Sequence, residues 1–162
     1  RELGEALYAR GIGLVYGGAH VGLMGVLADT VMQRGGEVIG VIPRTLVDRE
    51  VAHRGITQLI VVSTMHERKA MMASYADAFL ALPGGFGTLD ELMEIVTWEL
   101  LGLHAKPIGL LDVGGYFKGL LEFIEHMTRS GFVREDAQRL RVGQQPAELL
   151  DQLLPEPAPD LS

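Results

Sequence analysis

Strands and helices alternate along this chain, and the alternation predicts a doubly wound, Rossmann-like α/β fold: a parallel sheet with helices on both faces. Apolar runs of strand length recur between segments of helical period. Those runs lack strict in-out alternation, as expected of parallel strands covered on both faces. Glycine-rich turns follow two of them, where a strand leads into a helix.

The elements can be taken in order. The opening RELGEALYARG reads as the end of a helix with its glycine stop at Gly11. A helix at the start of an α/β chain normally follows a strand, so a first strand is expected to be missing from this chain. IGLVYG (12–17), EVIGVIP (37–43), QLIVVS (58–63), AFLALP (78–83) and PIGLLD (107–112) read as buried strands. Pro107 suits the first position of its strand. Helical patterns cover about 23–34, 65–76, 88–103 and 117–130. PAELLDQLL (146–154) reads as a last helix with proline near its start. No internal repeat is visible. One nucleotide-binding domain is expected over 1–154, with a flexible tail over 155–162.

With 162 residues, 48% of them hydrophobic, the chain can bury a substantial core. No apolar run is long enough for a transmembrane helix. There is no cysteine, which excludes a disulfide framework, a thiol nucleophile and a thiolate metal site. That composition fits a reducing compartment, and a cytoplasmic location is expected. A net charge of −7 argues against a broad nucleic-acid surface, so any phosphate must be held by local cations and backbone N–H groups. The five histidines (His20, His53, His66, His104, His126) lack the spacing of a helical metal pair, and most of them are expected to be structural or solvated.

In doubly wound sheets ligands sit beyond the carboxyl ends of the strands. Three loops qualify. The first, YGGAHVGLMG, carries Gly17, Gly18, Gly22 and Gly25 and reads equally as an anion-facing turn or as simple packing. It lacks the lysine and hydroxyl of a P-loop and the spacing of a dinucleotide fingerprint. The second, PGGFGT, is more specific: Gly84, Gly85 and Gly87 can aim consecutive N–H groups at one oxyanion, and Thr88 adds a hydroxyl. On pattern alone Thr88 to Glu91 matches the capping box S/T-x-x-E, which makes Glu91 a cap of a helix starting there. Glu94 shares the same helix face, and capping does not account for it. In the third loop, STMHERKAMM, Glu67 is the expected partner in a capping box beginning at Ser63 or Thr64. Arg68 and Lys69 fall early in that helix, where cations meet the positive end of the dipole at a cost of about 0.3–1 kcal/mol. Either they form a solvated basic face or an anion or carboxylate sits opposite. Met65, Met71 and Met72 read as core or pocket wall.

Taken together, YGG…VGLMG, GVIP, MHERKAMM, DAFLALPGGFGTLDELMEIVTW and KPIGLLDVGGYF make the chain similar to the Lonely Guy family over about residues 3–133. These are cytokinin-activating phosphoribohydrolases, long mislabelled as lysine decarboxylases. The motifs M-x-x-R-K and P-G-G-x-G-T-x-x-E, in this order, are specific together. The resemblance implies hydrolysis of the N-glycosidic bond of a cytokinin riboside 5′-monophosphate, and of AMP in a broader reading, to free base and ribose 5-phosphate. It makes Arg68 and Glu91 the catalytic pair and loop 84–88 the phosphate cradle. Gly18, Gly22, Met65, Lys69, Gly84, Gly85, Gly87, Thr88 and Glu94 would bind substrate. It implies no metal and no organic cofactor, a nucleoside 5′-monophosphate as the small-molecule partner, and a homo-oligomer, dimer or larger. The chain departs from the family pattern in lacking an opening strand with a C-G-S-S-like loop, in Ala19 where a third glycine is common, and in Asp90 where many members have glutamate.

A decarboxylase would need a buried Schiff-base lysine. Lys69, Lys106 and Lys118 are the only lysines, and none lies in a suitable pocket pattern. As the mechanism, phosphate docks on the N–H groups of 84–88 and C1′ becomes cationic as the base leaves. Glu91 stabilises that charge or orients water, Arg68 keeps the carboxylate ionised, and Glu94 contacts ribose hydroxyls or the water. Met65, Met72 and Trp98 are expected in the pocket wall. The apolar stretch 95–103 is expected to contribute to an interface or to the core. Two alternatives stand beside this reading: a carrier of nucleotide or molybdenum cofactor that does not hydrolyse it, and a general AMP nucleosidase.

Overall fold

The structure, a computed structural model, describes residues 1–47, 52–134 and 140–154. It divides into two compact units, Arg1–Ala76 and Asp77–Ser162. The tail expected over 155–162 lies outside the described residues.

The first unit runs α1 (Glu2–Ala9), β1 (Leu14–Tyr16), α2 (Gly22–Gln33), β2 (Val38–Pro43), β3 (Gln58–Val62) and α3 (Met65–Tyr75). Its three strands form a parallel sheet in the order β1-β2-β3, with Leu14 opposite Val38 and Gly40 opposite Leu59. β2 is central and almost wholly buried, which explains why its sequence reads as a continuous apolar run. Two glycines set the packing distances. At Gly4 a Cβ would lie 2.8 Å from Thr30, so α1 can press closely on α2. At Gly40 a Cβ would lie 2.8 Å from Gly18 Cα, so the turn after β1 can cross directly over β2. Leu3, Leu7, Val31, Val38, Val41 and Ile42 are among the buried apolar residues around this sheet.

The second unit runs β4 (Phe79–Ala81), α4 (Phe86–Leu100), β5 (Ile108–Leu111), α5 (Lys118–Arg129), β6 (Arg141–Gly143) and α6 (Pro146–Leu153). Its parallel sheet has the order β4-β5-β6. Leu111, Leu149 and Leu153 form a core cluster under Ala78, Leu80 and Leu82. At Gly109 a Cβ would lie 2.8 Å from a Leu153 methyl, which is why α6 can rest on β5 there.

The expected α/β class with parallel strands is what the structure has, its strands arranged as one three-stranded sheet in each unit. Two local expectations are corrected. α4 begins at Phe86, two residues before the expected start, and β6 was not anticipated because it is only three residues long and mostly exposed. Among the described residues no helix is long and apolar enough to cross a membrane.

Candidate functional site

In the first unit the carboxyl end of β1 and the start of α3 carry the candidate residues. The capping box expected there is present: Thr64 Oγ1 accepts from the Glu67 N–H at 3.1 Å, and Glu67 Oε2 accepts from the Ser63 N–H at 2.7 Å. With the helix start fixed, Arg68 points inward and is only 7% exposed, so the solvated-face reading of this cation is overturned. Its guanidinium lies against the backbone of Gly17, where a Cβ would fall 1.9 Å from Nη2. Arg68 Nη1 also meets the Met65 sulfur at 3.8 Å. Arg68, Gly17 and Met65 are thus brought together, while Lys69 is half-buried beside them in sequence. Gly18 is buried at φ +76, with Leu59, Ile42 and Val41 around its would-be Cβ, and its carbonyl accepts from the His53 N–H at 2.8 Å. It serves the turn. Gly22 is exposed at φ +62, at the start of α2.

A cluster that the sequence did not disclose lies behind this turn. The ligand atoms of His20, Asp29 and His53 come within 4.8 Å of one another. His53 is buried, and its Nδ1 accepts from the Gly55 N–H at 3.3 Å. The hydrogen-bond network therefore puts the ring proton on Nε2, which donates to Asp29 Oδ1 at 2.9 Å. A cation on Nε2 would move that proton to Nδ1, directly against another N–H. The cluster is better read as a hydrogen-bonded brace. The His53 ring also meets His20 edge-on at 4.3 Å, and Ala52 bridges Ala19, so the brace holds the glycine turn from behind. Tyr16, at the end of β1, has a buried hydroxyl with no hydrogen-bond partner. Burial first, and the negative charge of Asp29 second, push its ionisation well above the ordinary tyrosine range.

In the second unit the loop after β4 leads into α4. The N-cap is Gly85, and no side chain caps the helix. The first N–H groups of α4 therefore have neither an intrahelical acceptor nor a side-chain cap, the usual condition of an anion site. Gly85, Phe86 and Gly87 are exposed. At Gly84 a Cβ would fall 2.2 Å from Thr88 Oγ1, so only glycine lets the threonine hydroxyl fold back on the loop. This helix start also corrects the reading of Glu91 as a cap. Glu91 is the sixth residue of α4, well past the third position from which a capping-box glutamate reaches back. Glu91 and Glu94 are both half-buried, one turn apart, while Asp90 is exposed.

Tyr116 is a contact missed by sequence reasoning. Its hydroxyl donates to the Gly84 carbonyl at 2.6 Å. Only the two glycines before it, in VGGY, hinted at an unusual turn. His104 proves structural, with one ring nitrogen on the Ile95 carbonyl and the other accepting from the Lys106 N–H. An open groove of about 690 Å³ lies beside Asp112, Lys118, Glu122, Glu125 and Gln144. Its three carboxylates against one lysine suit it poorly to a phosphate.

The chain matches the family model described as "Possible lysine decarboxylase" over residues 24–153. It is 50% identical over 159 residues to the cytokinin riboside 5′-monophosphate phosphoribohydrolase LOG of Oryza sativa subsp. japonica, a match covering 98% of this chain and 66% of that protein. It is 49% identical over 158 residues to the cytokinin riboside 5′-monophosphate phosphoribohydrolase LOG2 of Arabidopsis thaliana, covering 98% of this chain and 74% of that one. The chain thus spans just under two thirds of the length of the rice protein. Among solved structures, the molybdenum cofactor carrier protein of Chlamydomonas reinhardtii shares the fold, with a TM-score of 0.67 and 24% identity over 94% of this chain and 84% of that chain.

Proposed function

The chain belongs to the Lonely Guy family, and on that footing we propose that it is an N-glycosidase that hydrolyses cytokinin riboside 5′-monophosphates to free base and ribose 5-phosphate. The observation that carries this reading is 50% identity to the rice phosphoribohydrolase over 98% of the chain. The geometry supports it independently through a helix start with no side-chain cap, glycines at 84, 85 and 87, and a half-buried glutamate that capping does not explain.

In the proposed reaction the bond from C1′ to the base nitrogen breaks, a water oxygen bonds to C1′, and a proton ends on the departing base. The reaction is redox-neutral, and water is its only co-reactant. The phosphate docks on the N–H groups of 84–88 and the Thr88 hydroxyl, with the helix dipole favouring its charge. Glu91 stabilises the oxocarbenium-like charge at C1′ or orients the water, and Glu94 binds ribose hydroxyls. Arg68 is the catalytic cation of the family motif; Lys69, Met65, Gly18 and Gly22 complete substrate binding. The protein is proposed to work in the cytoplasm as a homo-oligomer. The exposed Leu100, Leu101 and Leu103 support the second point.

The test incubates the protein with AMP and with isopentenyl-AMP and looks for free base by chromatography. Base from isopentenyl-AMP supports the proposal. Base from AMP alone would make the protein a general AMP nucleosidase, and two intact nucleotides would leave a carrier.

A further inference from the structure

Gly84 and Gly85 share one peptide plane, whose carbonyl belongs to Gly84 and whose N–H belongs to Gly85. In a trans peptide these two groups point in opposite directions, and the described residues contain no cis bond. Whatever holds the Gly84 carbonyl therefore sets the direction of the Gly85 N–H. Between two glycines such a plane has little to restrain it, because no Cβ limits the flanking dihedrals. A half-turn flip would put a carbonyl oxygen where a donor had been, at the start of a helix that attracts anions.

The restraint is the Tyr116 hydroxyl, which donates to the Gly84 carbonyl at 2.6 Å. Tyr116 is itself held by a stiff corner of the fold. The chain leaves β5 through Gly114 and Gly115, both at positive φ, and the Phe117 N–H then donates to Asp112 Oδ1 at 2.7 Å. Phe117 is 1% exposed, and its ring meets that of Tyr116 edge-on at 5.2 Å. Tyr116 is 55% exposed, so the core does not need it for filling. What distinguishes tyrosine from phenylalanine here is the hydroxyl alone.

We infer that Tyr116 is a positioning residue for the substrate phosphate: its hydroxyl locks the peptide between Gly84 and Gly85 so that the Gly85 N–H faces the anion. The inference rests on the phosphate-cradle reading of loop 84–88. It adds a residue outside the loop, in the turn after β5.

The test measures binding of ribose 5-phosphate and of adenine to the full chain by calorimetry, for the wild type and for Tyr116→Phe, alongside thermal melts. Loss of one hydrogen bond should weaken ribose 5-phosphate roughly two- to tenfold. Adenine affinity should not change, and the melting temperature should fall by no more than about 6 °C. Unchanged ribose 5-phosphate binding in Tyr116→Phe would overturn the positioning role, as would equal weakening of both ligands, which signals a general disturbance. A wild type that does not bind ribose 5-phosphate would overturn the phosphate-cradle reading itself, and the positioning role with it.

Discussion

Adding one methyl group at position 17 tests whether the buried guanidinium is held where the chemistry needs it. In Gly17→Ala the new Cβ would fall 1.9 Å from Arg68 Nη2 and 3.0 Å from its Cζ. Ordinary contact lies near 3.5 Å, so the guanidinium or the end of β1 must move by roughly 1.5 Å. Arg68 is 7% exposed and has little room to swing into solvent. Overpacking of this kind costs about 1–3 kcal/mol, equivalent to a fall of about 2–12 °C in melting temperature for a chain of this length. A displacement of this size at the proposed catalytic cation should lower base release by about 100-fold. The assay pairs thermal melts with base release from isopentenyl-AMP, and repeats the melts in an Arg68→Ala background. There the methyl group has nothing to strike, so Gly17→Ala should cost almost nothing. An equal loss of stability in both backgrounds, or wild-type turnover in Gly17→Ala, would refute the reasoning.

Three further outcomes are expected. Glu91→Ala should abolish base release while the protein keeps a cooperative thermal melt, because the residue does not cap α4 and the helix start does not depend on it. Thr64→Ala should cost about 0.5–2 kcal/mol of stability, since it removes a side-chain acceptor that α3 does use. Tyr16→Phe should leave the melting temperature unchanged or raise it, because the deleted hydroxyl is buried without a hydrogen-bond partner. The same variant should lose less stability in alkali. Above the ordinary tyrosine pKa of about 10 the unfolded chain releases the Tyr16 proton and the folded chain retains it, so stability falls as pH rises through that range. Melts from pH 9 to 11 would show the difference in slope.

Much of the fold was legible before any coordinates. Strand-length apolar runs and helical periods are local patterns, and eleven of the labelled elements lie where those patterns put them, with ends shifted by a few residues. The capping box at Thr64 was readable for the same reason, since its partners are three residues apart. β6 escaped because three mostly exposed residues carry no period. The second box, at Thr88, was a false match: the pattern was present, but Gly85 had already started the helix.

What the sequence determined by itself was the class of fold, the glycine loop before α4 and the set of candidate residues, all of which depend on neighbours within a few positions. Only the tertiary structure decided which of them are inside. Arg68 is buried because the backbone of Gly17, 51 positions earlier, leaves room for it. His53 braces the first glycine turn through Asp29, 24 residues away, and Tyr116 reaches Gly84 across 32. No period or spacing encodes such contacts. They arise when strands pair in register and bring distant turns together at the carboxyl ends of a sheet.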